Sequence, residues 1–251
     1  EIGMITEFPL YVFTTLGGLA AGAYAASAFS PIGKEGRAKA CLLPLMCLVL
    51  LAISAVALLF HLGHPERALN AFANPRAGIA QEGFASVLFG AVVVTDLALT
   101  WKKGSSPRAL RWVGAVCAAL LMGAMALAYC ALKGVPAWGA LPTIPFFAFG
   151  DLAMGAMLIA MLVEKNKVEN ISRAAVVLGI LAVGAVAWET VYFANLGLGV
   201  GLLVSGGVLV ALATLASAAA SRKRTSALLI ASFVLVMAGV ALARYGYYAA
   251  L

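Results

Sequence analysis

Residues Ala40–Leu62 read ACLLPLMCLVLLAISAVALLFHL, a run without Asp, Glu, Lys or Arg. A helix of about 20 residues is about 30 Å long, which matches the hydrocarbon thickness of a bilayer. Apolar runs of similar length recur along the whole chain. The stretch therefore predicts one transmembrane helix of a multi-pass membrane protein.

The composition of the 251-residue chain agrees with this interpretation. Apolar residues make up 64% of the chain and charged residues 11%, whereas about 25% of a typical soluble domain is charged. A soluble domain of this length could not bury so much apolar surface in one core. The composition excludes an ordinary cytosolic enzyme, a nucleic-acid-binding protein and a disordered chain.

Turn-forming and charged segments divide the chain into eight apolar runs, and we predict one all-α transmembrane domain over residues 1–251. The predicted helices are Pro9–Phe29, Ala40–Leu62, Ile79–Trp101, Arg111–Leu132, Ile144–Val163, Ala174–Leu196, Val200–Ala220 and Ser226–Tyr248. Only the glycine-rich segment LGLGVG separates the sixth run from the seventh, which predicts a tight helical hairpin.

The distribution of Lys and Arg predicts the orientation of the helices. The loops after the first, third, fifth and seventh helices contain thirteen of these residues: Lys34, Arg37, Lys39, Lys102, Lys103, Arg108, Arg111, Lys165, Lys167, Arg173, Arg222, Lys223 and Arg224. The other side holds four: Arg67, Arg76, Lys133 and Arg244. Because cytoplasmic loops are rich in Lys and Arg, we predict both termini on the outer, periplasmic face of a prokaryotic inner membrane.

Several ionisable side chains lie toward the predicted outer ends of the helices. His61 closes the second helix, Glu82 opens the third and Arg244 lies near the end of the eighth, while Asp151 and Glu189 lie deeper in the fifth and sixth. Such groups are costly in hydrocarbon and usually face a cavity or a partner. A purely structural ion pair, such as Arg244 with Glu82 or with Glu189, is the alternative.

Other polar and aromatic residues have a simpler interpretation. We predict that Asp96 pairs with Lys102 or Lys103 at the membrane interface. An aromatic belt at the outer interface accounts for most of six side chains: Tyr11, Trp138, Tyr192, Tyr245, Tyr247 and Tyr248. The four cysteines lack the spacing of metal ligands and are predicted to be small core residues: Cys41, Cys47, Cys117 and Cys130.

A His, a carboxylate and an Arg beside an apolar cleft are what a quinone site needs. The ring oxygens require hydrogen-bond donors, and an oxidised quinol requires acceptors for its protons. We predict that His61 and Glu82 act on these protons, and that Arg244 holds the carboxylate charge or the second oxygen. Asp151 and Glu189 are further candidates in the deeper cleft. No haem or metal is expected on this chain, because haem needs two facing axial ligands and the two His lie close together; a His–Met pair stays open.

Four stretches of the sequence resemble one family. Glu7–Thr14 reads EFPLYVFT, His61–Asn70 reads HLGHPERALN, Gln81–Ser86 reads QEGFAS, and Ser232–Tyr248 ends in ARYGYY. They resemble the DmsC-type membrane anchors of dimethyl sulfoxide reductase-like enzymes. The middle of the chain, roughly residues 105–220, is similar only in hydropathy and spacing.

The resemblance implies a haem-free, eight-helix anchor that oxidises menaquinol in anaerobic respiration. It implies two partners, a ferredoxin-like iron–sulfur subunit and, through it, a molybdopterin catalytic subunit. The family's quinol-binding His matches His61, and the position of Glu82 belongs to the same region. A chain without haem or cluster cannot carry electrons across the membrane, so the quinol must bind close to the partner's cluster. We predict docking at the outer face through Glu66, Arg67 and Arg76.

Two other interpretations remain open. A small secondary transporter would also have eight helices and buried carboxylates, although no paired broken helices in inverted halves are visible. The second open interpretation is a quinone anchor of the haem-b or polysulfide-reductase type. An optical spectrum distinguishes the haem protein, and co-purification of an iron–sulfur and a molybdenum protein distinguishes the anchor from the transporter.

Overall fold

The computed structural model describes residues 7–30, 37–61, 70, 72–132, 134–223 and 225–250. Within this part of the chain, eight helices are long and apolar enough to cross a membrane, as the sequence predicted. They are α1 (Phe8–Phe29), α2 (Arg37–His61), α3 (Gly78–Lys103), α4 (Arg108–Cys130), α5 (Thr143–Leu162), α6 (Val168–Asn195), α7 (Gly201–Lys223) and α8 (Ser226–Tyr248). The protein is an all-α, multi-pass membrane protein.

The helices have two sets of ends, which form two faces of the bundle. The Thr14 hydroxyl near the start of α1 lies 3.1 Å from the Tyr248 hydroxyl at the end of α8. At the other face, the Phe29 ring at the end of α1 contacts the Trp112 ring near the start of α4. We call the face with the start of α1 and the end of α8 the terminal end, and the other face the opposite end.

The helix α6 begins six residues before its predicted start, at Val168 rather than Ala174. The prediction stopped at the charged segment VENISR, which is too polar for hydrocarbon. In the structure, the Arg173 guanidinium donates to the Glu169 carboxylate one turn earlier, at 2.5 Å. Such pairs stabilise helices in water. Hydropathy therefore located the membrane-spanning part of α6 but not the start of the helix.

The first helix is the centre of the bundle. Of its most apolar window, 83% is buried, against 28% for α2 and for α3, and α1 packs against α2, α4, α5 and α8. A Cβ at Gly155 of α5 would overlap the backbone of Gly22, and one at Gly18 would overlap the Asp151 carboxylate. Small residues allow such close approach of helices in membranes. This contact places Asp151 directly against α1.

Candidate functional site

The Arg244 side chain is fully buried and forms an ion pair between two helices. Its Nη2 donates to Oδ1 of Asp151 at 2.5 Å and to the Phe147 carbonyl at 3.2 Å. Its Nη1 donates to the Thr14 carbonyl at 2.6 Å. The guanidinium carbon also lies 4.7 Å from the centre of the Phe147 ring. One cation therefore connects α1, α5 and α8.

The predicted ion pair of Arg244 with Glu82 or Glu189 is wrong. The main neighbours of α8 are α1, α5 and α7, whereas Glu82 lies in α3 and Glu189 in α6. The prediction used the depth of each residue in the membrane, and depth does not show which helices are neighbours. Asp151 is the carboxylate that lies both at a suitable depth and on a helix, α5, that packs against α8.

Glu82 lies in the second turn of α3, with 3% of its surface exposed. Its Oε1 has no hydrogen-bond partner among the described residues. The carboxylate is close enough to the phenols of Tyr129 and Tyr248 for electrostatic interaction. The Tyr248 hydroxyl lies 3.1 Å from that of Thr14, and the Thr14 carbonyl accepts from Arg244, so Tyr248 and Thr14 lie between Glu82 and Arg244.

Glu189 is a second buried carboxylate, in α6. It is fully buried, and neither of its carboxylate oxygens has a hydrogen-bond partner within the described ranges. It interacts electrostatically with Tyr247, whose ring stacks on those of Trp138 and Phe193. Glu82 and Glu189 therefore approach two different phenols of α8, and the rings of these phenols lie 5.3 Å apart in one aromatic cluster.

His61 is the last residue of α2 that the structure describes, and it contacts a residue that the sequence did not indicate. Its Nδ1 lies 3.0 Å from Oε2 of Glu7, the residue immediately before α1. The two side chains are 32% and 21% exposed. Glu7 was missed because its position 54 residues from His61 gives no sign of contact. The signal that could have found it is its place at the start of the EFPLYVFT motif.

The predicted site residues thus share the terminal end but form distinct groups. His61 lies at the surface with Glu7, Glu82 is buried near Tyr129 and Tyr248, and Arg244 is held by Asp151. The role of each in quinol chemistry stays a prediction.

Of the three predicted docking residues, Glu66 and Arg67 lie outside the described residues. Arg76 is exposed in the turn before α3, and its backbone N–H donates to the Asn74 side chain at 3.2 Å. It is therefore accessible to a partner at the terminal end.

Three of the aromatic residues predicted for the interfacial belt are instead buried in the bundle. Trp138, Tyr247 and Tyr248 are 4%, 0% and 1% exposed, and the Trp138 indole donates to the Tyr247 carbonyl at 3.1 Å. The belt prediction was wrong for these residues because the sequence showed their depth and not the side of the helix or loop on which they lie. The loop between α4 and α5 folds back into the bundle.

The prediction of an interfacial ion pair for Asp96 was also wrong. Asp96 is 3% exposed and accepts hydrogen bonds from the Tyr24 hydroxyl at 2.7 Å and from the Thr100 hydroxyl at 3.2 Å. A buried carboxylate needs such donors, and Tyr24 is supplied by α1. Asp96 therefore belongs to a polar cluster in the half of the bundle near the opposite end.

Comparison with known families assigns the chain. A family model described as DMSO reductase anchor subunit (DmsC) matches residues 3–198. The matched range runs from before α1 to just after α6, and so includes the middle of the chain, whereas it ends before Arg244. A comparison with curated proteins finds no match. Since the matched range covers most of its length, the chain belongs to the family of DMSO reductase anchor subunits (DmsC), which are membrane anchors of an oxidoreductase complex.

Proposed function

We propose that this DmsC-family anchor oxidises menaquinol at the terminal end of the bundle and passes the electrons to a docked iron–sulfur subunit. The observation that carries the proposal is Glu82, a carboxylate 3% exposed in a membrane-spanning helix, with one oxygen that lacks a partner among the described residues. An ionisable group in this position is costly and marks a functional site. The packing of α2 against α3 brings His61 to the same end.

In the proposed chemistry, His61 and Glu82 have different roles. Oxidation of a quinol releases two protons and two electrons, and the electrons leave one at a time to the partner's cluster. A neutral His accepts a proton near physiological pH, which an Arg cannot do. His61 would take the proton of one quinol hydroxyl, while Glu82 orients the quinol or passes a proton outward.

The ion pair of Arg244 and Asp151 would act behind this site. Both Nη atoms of Arg244 already donate within the bundle, so the pair holds α1, α5 and α8 in position around the quinol ring. Glu189 would supply a second proton route beside Tyr247. No haem or metal on this chain enters the proposal, and menaquinol is bound as a substrate.

The proposal places the terminal end on the periplasmic side of the inner membrane. It rests on the thirteen Lys and Arg in and beside the segments that join the helices on the other side, and on the need for the quinol to lie near the partner's cluster. The iron–sulfur subunit would dock over Arg76 and the loop after α4, and would hold the molybdopterin catalytic subunit. Protons released there leave to the same side, so the reaction builds no transmembrane charge by itself.

The orientation is testable with two cysteine variants at exposed positions. Gly134→Cys lies in the loop after α4 at the terminal end, and Asn166→Cys lies in the loop after α5 at the opposite end; both residues are exposed. In intact cells that produce the anchor without its partner subunits, which would otherwise cover the loop after α4, we expect an impermeant maleimide to label Gly134→Cys above the level of the wild type, and to label Asn166→Cys only after lysis. The reverse pattern would reject the orientation and the docking side together.

The quinol site is testable with Glu82→Gln, which keeps the size of the side chain and removes its charge. General acid–base groups contribute about 10²–10⁴-fold in rate, and we expect quinol-driven turnover of the assembled complex to fall by about 10²-fold. Turnover driven by an artificial dye that reduces the partner subunits directly should persist. Asp96→Asn is the matched control, since Asp96 is an equally buried carboxylate of α3 near the opposite end. Equal losses in both variants, or none in Glu82→Gln, would contradict the proposal.

A further inference from the structure

A carboxylate and an imidazole meet at the edge of the proposed quinol site. Glu7 precedes α1, and its backbone carbonyl accepts the first helical hydrogen bond, from Tyr11 N–H at 3.1 Å. His61 ends α2, which packs along α1. Glu7 therefore lies at the start of α1 and His61 at the end of the described part of α2, and the packing of the two helices brings Nδ1 of His61 to 3.0 Å from Oε2 of Glu7.

We infer that Glu7 is a positioning residue for His61, an inference that rests on the proposed quinol oxidation. The contact is not aligned as a hydrogen bond in this structure, but a negative carboxylate 3.0 Å from Nδ1 still favours the tautomer that carries its proton there, because opposite charges attract. Nε2 is then unprotonated and able to accept a proton. Glu7 thus sets which atom of His61 faces the quinol hydroxyl.

The same contact stabilises the product of the proton transfer. When the quinol O–H bond breaks, the proton forms a new N–H bond at Nε2 and the ring becomes an imidazolium with N–H groups at both nitrogens. The electrons go to the partner's iron–sulfur cluster, so the charge that remains on His61 is positive. The Glu7 carboxylate offsets this charge without itself taking the proton.

The surroundings of Glu7 suit a quinone ring. Phe8, the next residue, is 42% exposed, and its ring lies 5.7 Å from that of Tyr11. The Tyr11 ring in turn contacts Tyr245 of α8 edge-on, at 5.8 Å. Apolar and aromatic walls with few polar groups are typical of sites for small aromatic ligands. Since Glu7 precedes Phe8 in the chain, the Glu7–His61 pair would supply the polar groups at the edge of these rings.

The inference is tested by steady-state kinetics of the assembled complex with a soluble menaquinol analogue. Because the pair is partly exposed, we expect Glu7→Gln to lower kcat about three- to tenfold, with KM changed less than about twofold. Glu7→Asp, which restores the carboxylate, should lie between Glu7→Gln and the wild type. Dye-driven activity should not change. Glu164→Gln is the matched control, because Glu164 also pairs with a cation outside the helices, 3.7 Å from Lys167, but at the opposite end.

The decisive comparison is made in the His61→Ala background, where Glu7→Gln should have no further effect on the residual rate. Interacting residues show such non-additivity, whereas independent ones add. If Glu7→Gln matches the wild type while His61→Ala loses quinol turnover, the positioning role is wrong and the proposed function stands. An equal loss in both backgrounds, or a parallel loss of dye-driven activity, would assign Glu7 to folding or assembly and overturn the inference. If His61→Ala retains full quinol turnover, the proposed site itself is wrong.

Discussion

His61→Ala should lower quinol-driven turnover of the complex by about 10²-fold or more, the range in which general acid–base groups contribute. The substitution removes both a hydrogen-bond donor and the group that takes a proton from the quinol. Alanine favours helix, so α2 should still reach its last turn. We expect the complex to assemble and an artificial dye to drive it at the rate of the wild type.

The measurement compares the two electron donors on the same membranes. His64→Ala is the control, because His64 is the second of the two His of the chain, in the same sequence block; it lies outside the described residues. We expect His64→Ala to keep quinol turnover. Equal loss of dye-driven and quinol-driven activity in His61→Ala would indicate a role in assembly, and no loss would move the search to Asp151 and Glu189.

The second large effect concerns the stability of the bundle. Asp151→Leu leaves the Arg244 charge buried without its carboxylate, and breaking a buried ion pair in this way costs about 3–5 kcal/mol of stability. Arg244→Met leaves Asp151 in the same condition. We expect both single variants to unfold at a clearly lower temperature in detergent and to accumulate less in the membrane.

The double variant Asp151→Leu/Arg244→Met distinguishes a structural pair from a catalytic one. Replacing both partners of a buried pair by apolar side chains of similar size is often neutral or stabilising, so the double variant should regain much of the lost stability. Retained quinol turnover in the double variant would assign the pair to holding α1, α5 and α8. Recovered stability with lost quinol turnover would contradict that role and favour direct contact of the pair with the quinol.

The membrane-spanning architecture followed from the apolar runs. A chain in hydrocarbon must satisfy its backbone hydrogen bonds internally, so an apolar run as long as Ala40–Leu62 has the helix as its available structure. The same reasoning failed at the start of α6, where Glu169 and Arg173 continue the helix into the polar region through their own ion pair. Hydropathy predicts which residues lie in the hydrocarbon region, whereas a helix can continue beyond that region into water.

The sequence predicted the residues of the candidate site but not the contacts between them, and this difference has one physical cause. The residues at each depth were visible in the sequence, since the apolar runs set the depth of His61, Glu82, Asp151 and Arg244. Which of them touch depends on which helices are neighbours, and that is decided by close packing such as that of Gly22 on Gly155. The sequence alone thus determined the eight helices, the family motifs and the candidate residues. Only the tertiary structure showed that Arg244 pairs with Asp151 and His61 with Glu7. These contacts join different helices, and a hydropathy pattern does not show which helices lie side by side.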